Sequence, residues 1–104
     1  MIEATLRDAI RERRCLSGLY KGSLRHFAPH ALGTASDDTR KVFVFQYAGE
    51  SSGGLPPGGE WRCFLIDGLS SVRANGDRWR TRSNYSLRRQ HCLARIDVAV
   101  PTSS

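Results

Sequence analysis

The chain has 104 residues, 39% of them hydrophobic, enough for one compact core and too few for two. Its net charge is +6, and fourteen of its sixteen cationic side chains are arginine. That bias favours planar, multi-donor contacts with phosphate or carboxylate, although a solvated surface would account for it equally well. No run approaches the roughly 18 apolar residues of a membrane span, and the opening MIEATLRDAIRERR lacks the apolar core of a signal peptide. The expectation is a cytoplasmic protein without membrane association.

In chain order, Ile2, Leu6, Ala9 and Ile10 recur at helical spacing. Glu3 stands four residues before Arg7, and arginines crowd the last turn, so residues 2–14 are predicted as an amphipathic helix whose charges suit its dipole. Cys15 to Tyr20 reads as a strand, Lys21-Gly22-Ser23 as a turn, and Leu24 to Ala28 as a second strand that Pro29 should end or confine to an edge. After a turn at Asp37-Asp38-Thr39, residues 41–47 are so apolar that they predict a central strand covered on both faces. The stretch AGESSGGLPPGGE is too rich in Gly, Ser and Pro to bury a core, and predicts a long mobile hairpin loop before a strand at Trp61 to Ile66. A short strand is expected around Ser71 to Ala74, then a hairpin-type turn at Asn75-Gly76. Residues 78–90 are basic and poorly periodic, a loop or a single helical turn, whereas Cys92, Ala94, Ile96, Val98 and Val100 alternate as in a half-buried strand. Residues 1–100 thus form one domain and 101–104 a tail. One helix followed by five or six short strands points to a mainly β fold, a small barrel or strongly bent sheet with the helix against it.

Cys15, Cys63 and Cys92 are odd in number, widely spaced and set in apolar stretches. They read as free, buried cysteines, not as a disulfide framework. His26 and His30 are four apart, a metal-ligand spacing on a helix, but Pro29 and the strand-like neighbours argue against a helix and no metal is expected. Neither a nucleophile elbow, nor a GxGxxG run, nor a Walker pattern is present. The expectation is a protein that is not an enzyme and carries no cofactor.

A binding site has better support. In a regular strand Arg25 shares a face with Phe27, and His26 with Leu24. Gln46 lies in an apolar run where its amide must find a partner, and Arg62 lies between Trp61 and Cys63, where an unpaired charge would be costly. Asp67 or another acid could pair with Arg62; a ligand could equally do so. Tyr20, Arg25, His30, Gln46 and Arg62 are therefore expected to line one polar groove, with Pro29 presenting His30. A second basic stretch, RWRTRSNYSLRR, interleaves Trp79 and Tyr85 with arginines. Phosphate neutralisation by Arg78, Arg80 and Arg82 with base stacking on Trp79 would hold single-stranded nucleic acid. The competing expectation is a solvated loop with Trp79 folded into the core.

The order of these features resembles the WYL domain of bacterial transcriptional regulators. The likeness runs through Tyr20, Arg25-His26-Phe27-Ala28-Pro29, the apolar strand Val42 to Tyr47, and Arg62-Cys63-Phe64-Leu65-Ile66-Asp67-Gly68-Leu69. The naming tripeptide falls at Val42-Phe43-Val44, and Gly68 stands where the family commonly carries an arginine implicated in ligand contact. The usual helix-turn-helix domain is absent. The resemblance implies a small Sm-like or SH3-like β-barrel that senses a nucleotide or single-stranded nucleic acid. The alternative is an interaction module that docks on an acidic partner protein.

Overall fold

The computed structural model describes residues 1–51 and 53–102. Helix α1 spans Ile2–Glu12 and is followed by strands β1 (Leu16–Tyr20), β2 (Ser23–Thr34), β3 (Arg40–Gly49) and β4 (Glu60–Leu65). A 3₁₀ turn (Ile66–Gly68) then leads to β5 (Leu69–Ala74), and β6 (Arg95–Ala99) comes last. The protein is mainly β with one N-terminal helix, as the hydrophobic periods predict. α1 buries Leu6, Ala9 and Ile10, and ends where Arg13 turns left-handed (φ 53°) and the N–H of Arg14 closes onto the Ala9 carbonyl at 2.9 Å. Lys21 and Gly22, both at positive φ (50° and 83°), make the two-residue hairpin between β1 and β2.

The six strands form one antiparallel sheet in the order β4-β3-β2-β1-β5, with β6 also on β2. Among the described residues the end strands β4 and β5 do not pair with each other, so the sheet is not closed into a barrel. Three residues nevertheless connect them, which a flat sheet could not allow; the sheet bends until its ends approach. The N–H of Leu65 donates to the Tyr20 hydroxyl at 3.1 Å, and the N–H of Lys21 to the Gly68 carbonyl at 2.8 Å.

Of the two outcomes expected for Pro29, ending the strand or lying at an edge, the first is not observed, and on one side Pro29 has no strand partner. β2 runs through it because its partner on one edge changes there: residues 23–27 pair with β1 and residues 31–34 with β6. The proline lies between the two partners, where its missing N–H breaks no ladder bond. On the other edge Pro29 faces Val44 and Ala31 faces Phe43, which leaves His30 as the extra residue of a β-bulge. A second irregularity pairs His26 with Ala48 and Phe27 with Gln46, so the ladder skips Tyr47.

The inner face of the sheet and α1 share the main core, with Leu6, Ile10, Leu16, Phe27, Val44, Phe64 and Leu69 among its residues. Residues 75–94 have no strand and lie over the outer face of β3 and β4, where Phe43, Cys92, Leu93, Trp61 and Tyr85 form a second cluster. β3 is therefore covered on both sides, as its composition predicts. The hairpin expected at Asn75-Gly76 is not formed: the Asn75 side chain accepts from the Asp77 N–H at 2.8 Å and starts the irregular segment. The last strand is also shorter than the alternation suggests, because Asp97 is an extra residue in its ladder and Ile96 is left exposed.

A further correction concerns the cysteines. Cys63 on β4 and Cys92 at the end of the irregular segment are joined in a disulfide, with Cα atoms 5.7 Å apart. This is a bond that oxidising compartments preserve and reducing ones remove. Only Cys15 behaves as the free buried residue expected; its thiol donates to the Arg78 carbonyl at 3.3 Å, and burial pushes its pKa up. Among the described residues no helix is long and apolar enough to cross a membrane.

Candidate functional site

β2 brings Arg25 and Phe27 onto the inner face, as their alternation requires. The residues in register with Arg25 are Gly18 on β1 and Gly49 on β3. With no side chain on either neighbour, the guanidinium can lie flat over the sheet. It sits 5.5 Å from the centroid of the Tyr20 ring and 5.7 Å from that of Phe64, and Tyr20 and Phe64 are themselves stacked at 4.3 Å. The whole residue is only 7% exposed.

Arg25 makes one hydrogen bond to another side chain, from Nη1 to Oε1 of Gln46 at 3.1 Å. Gln46 is fully buried and uses its amide nitrogen on the carbonyls of Ala48 (3.1 Å) and Glu50 (2.8 Å). It thus orients Arg25 and fastens the start of the following loop, instead of lining a groove itself. Among the described residues no carboxylate forms an ion pair with Arg25, and its buried Nε–H has no acceptor. Burial, together with the positive charge of Arg62, lowers the Arg25 pKa. A buried cation in this condition is costly unless something supplies negative charge.

Arg62 projects from β4 toward the same region. Its acid is Glu60, two residues earlier on the same strand face, at 2.6 Å, and Asp67 is not its partner. It also donates to the Ser51 hydroxyl at 2.5 Å, and its Nε, like that of Arg25, is buried without an acceptor. A cleft of about 400 Å³ opens beside Arg25, lined by Tyr20, Lys21, Ser23, Arg25, Glu50 and Ser51. Gly68 packs against Tyr20: a β-carbon there would come within 2.8 Å of the ring, so the aromatic ring occupies the space a longer side chain would need.

The loop after β3 is held at several points. Besides the Gln46 and Arg62 contacts, the N–H of Glu50 donates to the Leu24 carbonyl at 2.8 Å, and Arg82 donates to the Gly58 carbonyl. Residues 53–54 and 56–58 are exposed, while both ends of the loop are tied to the sheet.

His30 does not belong to this cleft. Alternation from Arg25 and Phe27 sets His30 on the outer face, which the bulge lets it share with Ala31, and there it is fully buried among Trp61, Trp79 and Tyr85, with ring centroids 4.7, 4.8 and 4.7 Å away. Nδ1 donates to the Ala28 carbonyl at 2.8 Å, which leaves Nε2 to accept from the Thr81 hydroxyl at 2.9 Å. Burial in this aromatic box lowers its pKa to about 4, so the ring is neutral at physiological pH. The ring serves as the anchor of the irregular segment. His26 lies on the face of β2 opposite Arg25, its Nδ1 2.6 Å from the Ser17 hydroxyl, which accepts from the Asn75 amide.

The residues of the second basic stretch divide between separate places. Trp79 packs against His30 but stays half-buried, and it lines a surface pocket with Arg13, Arg82 and Tyr85. Arg80 lies 4.1 Å from the centroid of the Tyr47 ring, Arg82 5.1 Å from that of Phe45, and Arg78 is exposed. Of the five groove residues expected from the sequence, Tyr20, Arg25 and Arg62 come together with Gln46 behind them. Ser51 and Glu60 were hidden in a stretch read only as a loop. The period of two places Glu60 on the face of Arg62 and could have revealed it; nothing local marks Ser51. No protein-family model, curated protein or solved structure matches the chain.

Proposed function

We propose that the chain is a ligand-binding module for a small anion, with the cleft beside Arg25 as its site. The observation that carries this reading is a nine-tenths buried arginine, in no ion pair among the described residues, at the wall of an open cleft that Glu50 also lines, and near a second arginine with an unanswered Nε–H. Folding alone gains little from such an arrangement, whereas an arriving anion finds desolvated, pre-oriented donors. Tyr20 and Phe64 hold the guanidinium in place, and Gln46 fixes its rotation.

The same reading takes the fold as a WYL-like domain of the Sm or SH3 type. The leading helix, the order β5-β1-β2-β3-β4 and the 3₁₀ turn between β4 and β5 support it. On that reading the anion is a nucleotide or a related phosphorylated compound. The engagement of Arg80 over the Tyr47 ring and of Arg82 over the Phe45 ring favours a small ligand over an extended nucleic-acid strand. Isothermal titration calorimetry with mononucleotides and with a single-stranded oligonucleotide at low salt, where charge attraction is least screened, tests it. Binding should be lost in Arg25→Ala and kept in Arg78→Ala; if no anion binds in an Arg25-dependent manner, the reading fails.

A further inference from the structure

The geometry around Arg62 points to more than a general preference for anions, and the inference rests on the anion reading above. We propose that the cleft is built for a dianionic terminal phosphate, a phosphomonoester, which binds by displacing the Glu60 carboxylate and the Ser51 hydroxyl from Arg62.

Arg25 and Arg62 stand on β2 and β4, with β3 between them; Arg25 is in register with Gly49 of β3 and Arg62 with Val44, so their backbones are offset along the strands as well as across them, and the charge of Arg62 is nonetheless felt at Arg25. Each has a buried Nε–H with no acceptor. A carboxylate presents two oxygens in one plane and matches one guanidinium edge. A phosphomonoester presents three terminal oxygens in a tetrahedron and can meet two guanidinium groups, whereas a phosphodiester has only two such oxygens and half the charge.

In the protein alone, Arg62 is already served by a built-in substitute: Glu60 at 2.6 Å and Ser51 at 2.5 Å. Ser51 lines the cleft, so its hydroxyl stands between the cleft and Arg62. The Glu60–Arg62 pair is partly exposed, with side chains 44% and 25% accessible, and an ion pair of this kind is held weakly enough to be exchanged. Glu60 thereby acts as an internal competitor. It keeps Arg62 satisfied when the site is empty and discriminates against monoanions, which gain too little to replace it. The cleft, at about 400 Å³, accommodates a compound the size of a sugar phosphate or a mononucleotide.

The test is a calorimetric or NMR titration at pH 7.5 with methyl phosphate, dimethyl phosphate and acetate, using the wild type, Glu60→Gln and Arg25→Ala. Methyl phosphate should bind at least ten-fold more tightly than dimethyl phosphate or acetate. Glu60→Gln should tighten methyl phosphate at least three-fold, and Arg25→Ala should abolish it. Equal affinity for the two esters, or an unchanged affinity in folded Glu60→Gln, overturns this inference while leaving the anion site in place. Absence of Arg25-dependent binding for all three compounds overturns both. The comparison of the esters on the wild type decides the matter even if the Glu60 variant fails to fold.

Discussion

Cutting the bond between Cys63 and Cys92 should lower the melting temperature sharply. The two residues are 29 positions apart and enclose the 3₁₀ turn, β5 and nearly all of the irregular segment. The chain-entropy relation for a loop of that length assigns the cross-link about 3.6 kcal/mol at 25 °C, against a total stability of roughly 5–15 kcal/mol for a domain. Each kcal/mol moves the midpoint by about 4–8 °C at this size, so loss of the bond should cost about 14–29 °C. The experiment is differential scanning calorimetry of the wild type with and without a phosphine reductant, alongside a Cys63→Ser/Cys92→Ala double variant that retains the exposed and buried character of the two sites. Reduced wild type and variant should melt together, well below the oxidised protein. Residual structure in the reduced unfolded chain would shrink the difference. Three titratable thiols in unfolded, never-reduced protein, or a reduced midpoint within 3 °C (about 0.5 kcal/mol) of the oxidised one, would refute the argument.

Two other predictions concern the irregular segment and the sheet. The unfolded chain binds a proton at His30 near pH 6.5, whereas the folded chain does so only at about 4. The neutral ring therefore contributes its stability above pH 6.5, and that contribution, about 3 kcal/mol, is lost as the pH falls from 6.5 to 4. Urea unfolding across that range should show the loss. His30→Phe should flatten it, and an NMR titration placing the His30 imidazole above pH 6 would contradict the box. Gly33 and Gly59 leave no room for a β-carbon: at Gly33 it would fall on the Arg95 carbonyl of β6, and at Gly59 it would lie 2.5 Å from the Gln46 carbonyl at a φ of +100°. Alanine at either should destabilise by about 2–4 kcal/mol in urea melts, while Gly53→Ala, with open space around it, should change stability by about 0.5 kcal/mol or less.

The features that the sequence determined are those written in short-range pattern. The spacing of Leu6, Ala9 and Ile10 specifies a helix with one buried face. Lys21-Gly22 specifies a tight turn because glycine takes a positive φ without cost, and the unbroken apolar run of β3 requires cover on both sides. Alternation alone also placed Arg25 beside Phe27. The remaining features depend on which distant segments meet. Pro29 is tolerated only because β1 gives way to β6 at that point; alternation already sets His30 on the face opposite Arg25, but the aromatic box that receives it is drawn from two segments far along the chain. Cys63 and Cys92 meet because an aperiodic segment folds back over β4, and an aperiodic segment has no local signal for its path. Arg25 is in no ion pair among the described residues because of what the bent sheet brings near it, and this is a property of the whole arrangement. Local propensity acts over a few residues at a time, whereas burial, pairing and the cost of an unanswered charge are settled only when the chain has closed on itself.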